Sequence, residues 1–330
     1  MTQIDLVAVE HTADALFAPD SPHGLTLALV VMQAGHVVFE RYGQQPDTPF
    51  GPGGPVTADS TLVSWSMAKS ITHAAVGILV GEGRLQLDAP APVAEWKGTD
   101  KEAITLQHLL NMRSGLEFVE DYGDSSVSHC LEMLYGAGKD DMATYAAGQQ
   151  LLHAPGSFWN YASGTTNIIS RIVGDAVHSG GGGRRESMEA FLHDRLFGPV
   201  AMSSAQPKFD TAGTFVGSSY VYATARDFAR FGELYRNDGV AADGTRVVPA
   251  GWAAHACTFT AHSDEGEFDY GAHWWMWPDL AGSLACHGFE GQYTVVVPDR
   301  ELVVVHLGKC PAAQRPIVND HLRDIFRAAL

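Results

Sequence analysis

The chain has 330 residues, 45% of them apolar and 18% charged, enough to bury one large core or two smaller ones. Lysine and arginine number 21 against 38 acidic residues, and the net charge of −17 argues against nucleic acid or an anionic membrane surface as partner. No apolar run approaches the ~20 residues of a membrane span.

Met1 to Glu10 lacks the basic start and apolar core of a secretory signal, which points to the cytoplasm. Cys130, Cys257, Cys286 and Cys310 form no CxxC pair and read as buried thiols of a reducing compartment. Leu25 to Met32 and His36 to Tyr42 are apolar runs around Ala34-Gly35, and predict two strands joined by a tight turn. Gly43 to Pro55, rich in Gly and Pro, reads as loop, and Thr61 to Val63 as a short strand leading into a helix. That helix carries the apolar stripe Ile71, Ala74, Ala75, Ile78 and Leu79 and stops at Gly81 and Gly83.

From about 88 to 251 the spacing is mostly helical. Helices are predicted over Ile104 to Met112 with Thr105 as cap, Asp140 to Gln150, Thr165 to Val177, Met188 to Leu196 and Asp227 to Tyr235. Between them, Val119 to Ser128 is a polar loop carrying Asp121, Tyr122 and Asp124. Gly180 to Gly183 is a surface link that lacks the Gly-Lys-Ser/Thr ending of a phosphate loop. Tyr293 to Val297 and Leu302 to Leu307 return to strand chemistry around Pro298-Asp299-Arg300, and Pro316 to Leu330 has helical spacing. Strands at both ends with helices between predict an α+β fold: an antiparallel sheet built from both chain ends, flanked by helices, with a mainly helical inserted region. One unit over 1–330 is expected, with an α/β part at about 1–87 and 252–330 and the insert at about 88–251.

Ser66 and Lys69, in Ser64-Trp65-Ser66-Met67-Ala68-Lys69, lie three apart at the start of a helix, on one face and within side-chain reach. With Ser64 as N-cap, Ser66 falls in the first turn, where unpaired N–H groups and the helix dipole favour developing negative charge. A serine nucleophile needs a neighbour to take its proton. Lys69 can do so where burial and nearby donors leave the amine neutral part of the time. On spacing alone the plainer reading, a capped helix with its lysine in water, is favoured, so other stretches decide.

Trp159-Asn160-Tyr161-Ala162-Ser163 follows the Pro155-Gly156 turn in a loop before a helix. A tyrosine there can relay a proton between nucleophile, lysine and leaving group, or is simply a surface aromatic. Tyr235, which ends an amphipathic helix before Asp238-Gly239, reads as structural. His287-Gly288-Phe289-Glu290-Gly291-Gln292 opens the C-terminal strand pair, and its glycines permit close approach of backbone to a ligand. N–H groups on that edge can bind an oxyanion together with the N–H of Ser66; the alternative is a plain bulge or hairpin turn. The 15 histidines form no HExxH or HxH, so neither a metal nor another cofactor is expected. Trp274, Trp275 and Trp277 with Tyr270 read as core or pocket wall. No G-x-S-x-G elbow surrounds a serine that His287 would complete into a triad.

Taken together, Ser66-x-x-Lys69, Tyr161-Ala162-Ser163, His287-Gly288-Phe289, the run Thr105 to Leu116, Pro155-Gly156 and the run Ala223 to Phe231 resemble one superfamily. It is that of the serine β-lactamases and penicillin-binding proteins, in the branch of class C β-lactamase-like carboxylesterases and 6-aminohexanoate-dimer (nylon oligomer) hydrolases. The resemblance covers about Leu25 to Gly308 and implies a β-lactamase-like fold, acylation of a serine, a tetrahedral intermediate held by two backbone N–H groups, and hydrolysis by water. It makes Ser66 the nucleophile, Lys69 the base and Tyr161 the proton relay to the leaving group. Ser163 stands where relatives have Asn or Ser, and the N–H groups of Ser66 and Phe289 form the oxyanion hole. Tyr122 resembles the loop tyrosine that nylon-oligomer hydrolases bring over an amide substrate, a lid candidate.

Two departures follow from the same resemblance. β-Lactamases and penicillin-binding proteins carry Lys-Thr-Gly or Lys-Ser-Gly where this chain has His287-Gly288-Phe289, so the cation that grips a β-lactam carboxylate is missing unless His287 is protonated. Ser163 replaces the usual β-lactamase asparagine. The expectation is therefore a serine hydrolase of small carboxylic esters or linear amides, with a small-molecule partner, no nucleic acid, no membrane, and the oligomeric state left open. A β-lactamase or D-amino-acid peptidase of the same fold is the alternative. A non-catalytic binding protein on this scaffold is disfavoured by the joint presence of Ser66, Lys69 and Tyr161.

Overall fold

Both ends of the chain feed one sheet. The computed structural model describes residues 3–48, 51–123, 127–178, 180, 183–263 and 267–329. These build an eight-stranded antiparallel sheet whose strands follow the order 36–42, 25–33, 302–309, 292–297, 284–288, 275–276, 269–270 and 261–262. Val30 stands opposite Val305, and Val295 opposite Val304. The expected strand pairs are present as Leu25–Gln33 with His36–Tyr42 and Gln292–Val297 with Leu302–Lys309. Pro298–Arg300 makes the link between the latter as a short 3₁₀ turn.

Alternate residues of each central strand enter two different cores, because side chains along a strand point to opposite faces. Ala28, Val30, Val303, Val305 and Val296 pack toward the helical side, whereas Leu29, Val31, Val304, Val295 and Val297 pack on the other. Covering both faces explains why these strands read as unbroken apolar runs rather than alternating ones. The second face is closed by Leu6–Leu16 and Arg315–Arg327. The first of these helices has no counterpart in the sequence expectation. Its signals are Asp5, whose carboxylate accepts from the N–H groups of Val7 and Ala8, and the buried Val9, Thr12, Ala13 and Leu16.

On the opposite face lie Ala68–Gly81 and Ala225–Arg236. Gly232 brings the second helix flush with the sheet: a Cβ there would lie 2.6 Å from Val303 Cγ1. This helix thus packs on the sheet although it falls within the 88–251 stretch. The helix Ala68–Gly81 is buried along its whole length from Ala68 to Leu79, not only along its apolar stripe, because it runs between the sheet and the helix Ser163–Val177. No helix among the described residues is long and apolar enough to cross a membrane. All four cysteines are free thiols.

Candidate active site

The nucleophile candidate sits on a strained turn. Trp65–Met67 forms a 3₁₀ turn that runs straight into Ala68–Gly81, and Trp65 holds φ +44°, a conformation that bulky residues rarely adopt. Ser64 occupies the N-cap position but makes no capping bond. Its hydroxyl instead donates to the Trp65 carbonyl at 2.9 Å and accepts from the Val221 N–H at 3.1 Å, tying the turn to the strand Val221–Ala223. Ser66 therefore lies in the first turn, where N–H groups lack intrahelical partners.

Lys69 is 2% exposed, which overturns the reading of a lysine in water. Its Nζ lies 2.8 Å from Ser66 Oγ, 3.0 Å from Ser163 Oγ and 3.0 Å from the Ser218 carbonyl. The segment carrying Ser218 is wedged between two helices. Thr72 donates to the Gly217 carbonyl at 3.2 Å, the Ser218 N–H donates to Asn167 Oδ1 at 3.2 Å, and a Cβ on Gly217 would meet Thr72 Oγ1 at 2.3 Å. A side chain would push this carbonyl off the amine.

Tyr161 precedes the helix Ser163–Val177, and Lys69 Nζ stands 4.8 Å above its ring centre. Burial raises the affinity of its phenol for the proton, with Lys69 and Ser66 alongside pulling the other way. Ser163 is the first residue of that helix rather than part of the loop. Glu120 accepts from it twice, from the hydroxyl at 2.5 Å and from the backbone N–H at 2.7 Å. Glu120 also accepts from the hydroxyl of Tyr122. Tyr122 then lays its ring 5.0 Å from that of Phe289, across the mouth of the site. Asp124, in the same loop, lies outside the described residues.

The opposite wall is the end of the strand Leu284–Gly288 and the turn after it. A Cβ on Gly288 would lie 2.4 Å from the Ser64 carbonyl, so this strand abuts the turn that carries Ser66. Phe289 packs edge-on against Trp65 at 5.9 Å. Glu290 and Gly291 both take positive φ, and buried Gln292 secures the turn by donating to the Phe289 carbonyl at 3.0 Å and the Gly308 carbonyl at 2.7 Å.

His287 lines the cleft but is not a cation. The indole N–H of Trp277, a donor only, points at His287 Nε2 from 3.0 Å, so that nitrogen is the acceptor and the ring carries its proton on Nδ1. Burial first, and the charge of Arg315 second, hold its pKa well below the usual histidine range. The ring stacks on Trp275 at 5.3 Å. The protonated His287 left open by the sequence is thereby excluded.

A cleft of about 1150 Å³ joins these walls and is bounded by Ser66, Tyr161, Trp159, Trp275, His287 and Phe289. Trp274 and Trp277 are core, whereas Trp275 faces the cleft, so the aromatic cluster divides between the two roles expected of it. Tyr235 is structural: it is 2% exposed and its hydroxyl meets His73 Nδ1 at 2.7 Å. Among the described residues no three His, Cys, Asp or Glu side chains gather to hold a metal ion. Sequence reasoning missed Glu120 and the Ser218 carbonyl. Glu120 was within reach, two residues before Tyr122 in the polar loop; a backbone carbonyl leaves no trace in residue type.

The Beta-lactamase family model matches residues 13–324. A 6-aminohexanoate-dimer hydrolase of Paenarthrobacter ureafaciens is 27% identical over 307 residues, covering 87% of this chain and 73% of that one. Penicillin-binding protein 4 of Amycolatopsis lactamdurans is 30% identical over 238 residues, covering 62% and 58%. A solved family VIII carboxylesterase shares the fold at a TM-score of 0.71 and 14% identity, over 98% of this chain and 97% of that one. A match over nearly the whole chain, on a site built around Ser66 and Lys69, places the protein in the Beta-lactamase family, as a serine hydrolase.

Proposed function

We propose that the protein cleaves small carboxylic esters or linear amides through an acyl-enzyme on Ser66. The observation that carries this reading is the buried Lys69 amine 2.8 Å from Ser66 Oγ, with two further acceptors holding it in place. Lys69 takes the Ser66 proton as the oxygen attacks the acyl carbon. The N–H groups of Ser66 and Phe289 receive the oxyanion. Tyr161, kept protonated by burial, donates to the departing oxygen or nitrogen and regains a proton from Lys69, which returns the amine to its neutral form, and water then hydrolyses the ester on Ser66.

Selectivity for neutral substrates is supported by His287, which is uncharged where penicillin-recognising relatives place a lysine. Aromatic walls from Trp159, Trp275 and Phe289 suit apolar acyl or leaving groups. The likeness to a 6-aminohexanoate-dimer hydrolase supports linear amides, and that to a carboxylesterase supports esters. Four free thiols agree with action in the cytoplasm. The test is a panel of p-nitrophenyl esters, 6-aminohexanoate dimer, D-Ala peptides and nitrocefin, together with labelling by a fluorophosphonate. Ester or amide turnover with label on Ser66 is expected. Fast nitrocefin turnover without esterase activity, or no label on folded protein, overturns the reading.

A further inference from the structure

The geometry points to Glu120 as a positioning residue that decides which of two serines gives its proton to Lys69. The inference rests on the reading of Ser66 as nucleophile and Lys69 as base. Ser66 Oγ and Ser163 Oγ are almost equally close to Lys69 Nζ, at 2.8 and 3.0 Å. Distance alone does not single out the nucleophile.

Hydrogen-bond direction does. A carboxylate only accepts, and a serine has one hydroxyl proton. Ser163 Oγ stands 2.5 Å from Glu120 Oε1, and the Ser163 N–H fixes the other carboxylate oxygen at 2.7 Å. The Ser163 proton is thus committed to Glu120, and toward Lys69 its oxygen can only accept. The Ser218 carbonyl can only accept as well. A neutral amine has two hydrogens and one lone pair. With both hydrogens directed at Ser163 and Ser218, the lone pair is left facing Ser66. Reversing the Ser163 hydroxyl would draw the lone pair to Ser163 and present Ser66 with an N–H, which cannot receive its proton. Once Lys69 is protonated, its third hydrogen fits the Ser66 direction. The proton therefore moves between Ser66 and Lys69 with no other group turning, the preorganisation that makes such transfers effective.

The groups facing Lys69 are Tyr161 beneath it, Ser163, Cys130, His273 and Glu120. Burial keeps the Tyr161 phenol and the Cys130 thiol protonated, and lowers His273 to about 3 so that it is neutral. Glu120 is the anion of this set, and it lies on the far side of the same Ser163 oxygen.

The test is a double-mutant cycle read by kcat and KM on the best ester of the panel. In Glu120→Gln the amide offers one acceptor and an NH₂ donor, which turns the Ser163 hydroxyl toward Lys69. We expect kcat to fall at least ~10-fold with KM within ~3-fold. Ser163→Ala loses a similar factor, and in that background Glu120→Gln costs less than ~2-fold, because the group it acts through is gone. Additive losses, or a KM that rises as much as kcat falls, overturn the proposal. Should Glu120→Gln fail to fold, Ser163→Asn carries the test. With its NH₂ donated to Glu120, an asparagine amide presents only its oxygen to Lys69, so Ser163→Asn keeps more of kcat than Ser163→Ala; equal losses in both overturn the proposal. Labelling of wild-type Ser66 by a fluorophosphonate separates the two levels: absence of label sinks the acyl-enzyme reading, whereas labelled wild type beside a fully active Glu120→Gln sinks the role of Glu120 alone.

Discussion

Lys69 Nζ and Ser66 Oγ stand 2.8 Å apart with the lysine withdrawn from solvent. Taking an amine out of water is costly unless its hydrogens find partners, and here Ser163 and Ser218 supply them. Arginine keeps the positive charge but cannot act as a base, because a guanidinium cannot be deprotonated in a protein. Lys69→Ala and Lys69→Arg are both expected to lower the acylation rate by at least ~10². The measurement is the rate of fluorophosphonate labelling, and a Lys69→Arg enzyme within tenfold of wild type rules out the base role.

Tyr161 is predicted to matter in proportion to the leaving group's need for a proton. A p-nitrophenolate departs without one, whereas an amine from an amide or an alkoxide from an alkyl ester does not. Tyr161→Phe should therefore cost ~10² or more on amides and alkyl esters and less than ~10-fold on p-nitrophenyl esters. A uniform loss across leaving groups would mean that the ring acts by holding Lys69, whose Nζ rests 4.8 Å from it, and not by proton transfer.

Gly288 tests how tightly the two walls of the cleft must meet. A Cβ there would lie 2.4 Å from the Ser64 carbonyl, a backbone atom that has no rotamer with which to yield. Gly288→Ala should push the strand Leu284–Gly288 away from the turn of Ser66, destabilising the protein by about 1–3 kcal/mol. It should lower kcat more than it raises KM if the Phe289 N–H receives the oxyanion as proposed, since that N–H would be displaced. Unchanged kcat in a folded Gly288→Ala protein would remove Phe289 from the oxyanion site.

The parts of this molecule legible in its sequence are those governed by local chemistry. Strands around Ala34-Gly35 and Pro298-Asp299-Arg300, and helices behind Thr105 and Ser64, follow from period and turn residues, and the structure has them. The short strands 261–262, 269–270 and 275–276 gave no such signal, because two-residue strands are held by their neighbours in the sheet and not by their own pattern. In the site, Ser66 and Lys69 stand out by their spacing, but their roles and that of Tyr161 come from the family resemblance and not from spacing. Glu120 was not legible, since a glutamate in a polar loop is the commonest of surface residues until the fold turns it onto Ser163. The neutrality of His287 depends on its burial, and its tautomer on Trp277, ten residues away; no property of His287 alone predicts either.

The buried histidines set a pH limit on the fold. His306 is fully enclosed, its Nδ1–H directed at the Gly291 carbonyl at 2.7 Å and its Nε2 meeting Thr26 Oγ1 at 3.0 Å, and burial lowers its pKa from 6.5 to about 4. His273 is likewise lowered to about 3 by burial. Above pH 6.5 such a group is neutral in both folded and unfolded chains and the stability it permits is complete. Below that, the unfolded chain binds a proton that the native one refuses, so stability falls by about 1.4 kcal/mol per pH unit for each such histidine until the folded pKa is reached. Urea midpoints should therefore drop steadily from pH 6.5 toward pH 4, the window bounded by the ordinary and the folded value of His306. His306→Gln, which keeps a donor and an acceptor but does not titrate, should show a shallower slope by about 1.4 kcal/mol per pH unit over that window. Identical slopes would mean that His306 is protonated in the folded protein. Because the ring lies under Gly291, in the turn that presents Phe289, the activity of wild type should fail on acidification before that of His306→Gln does.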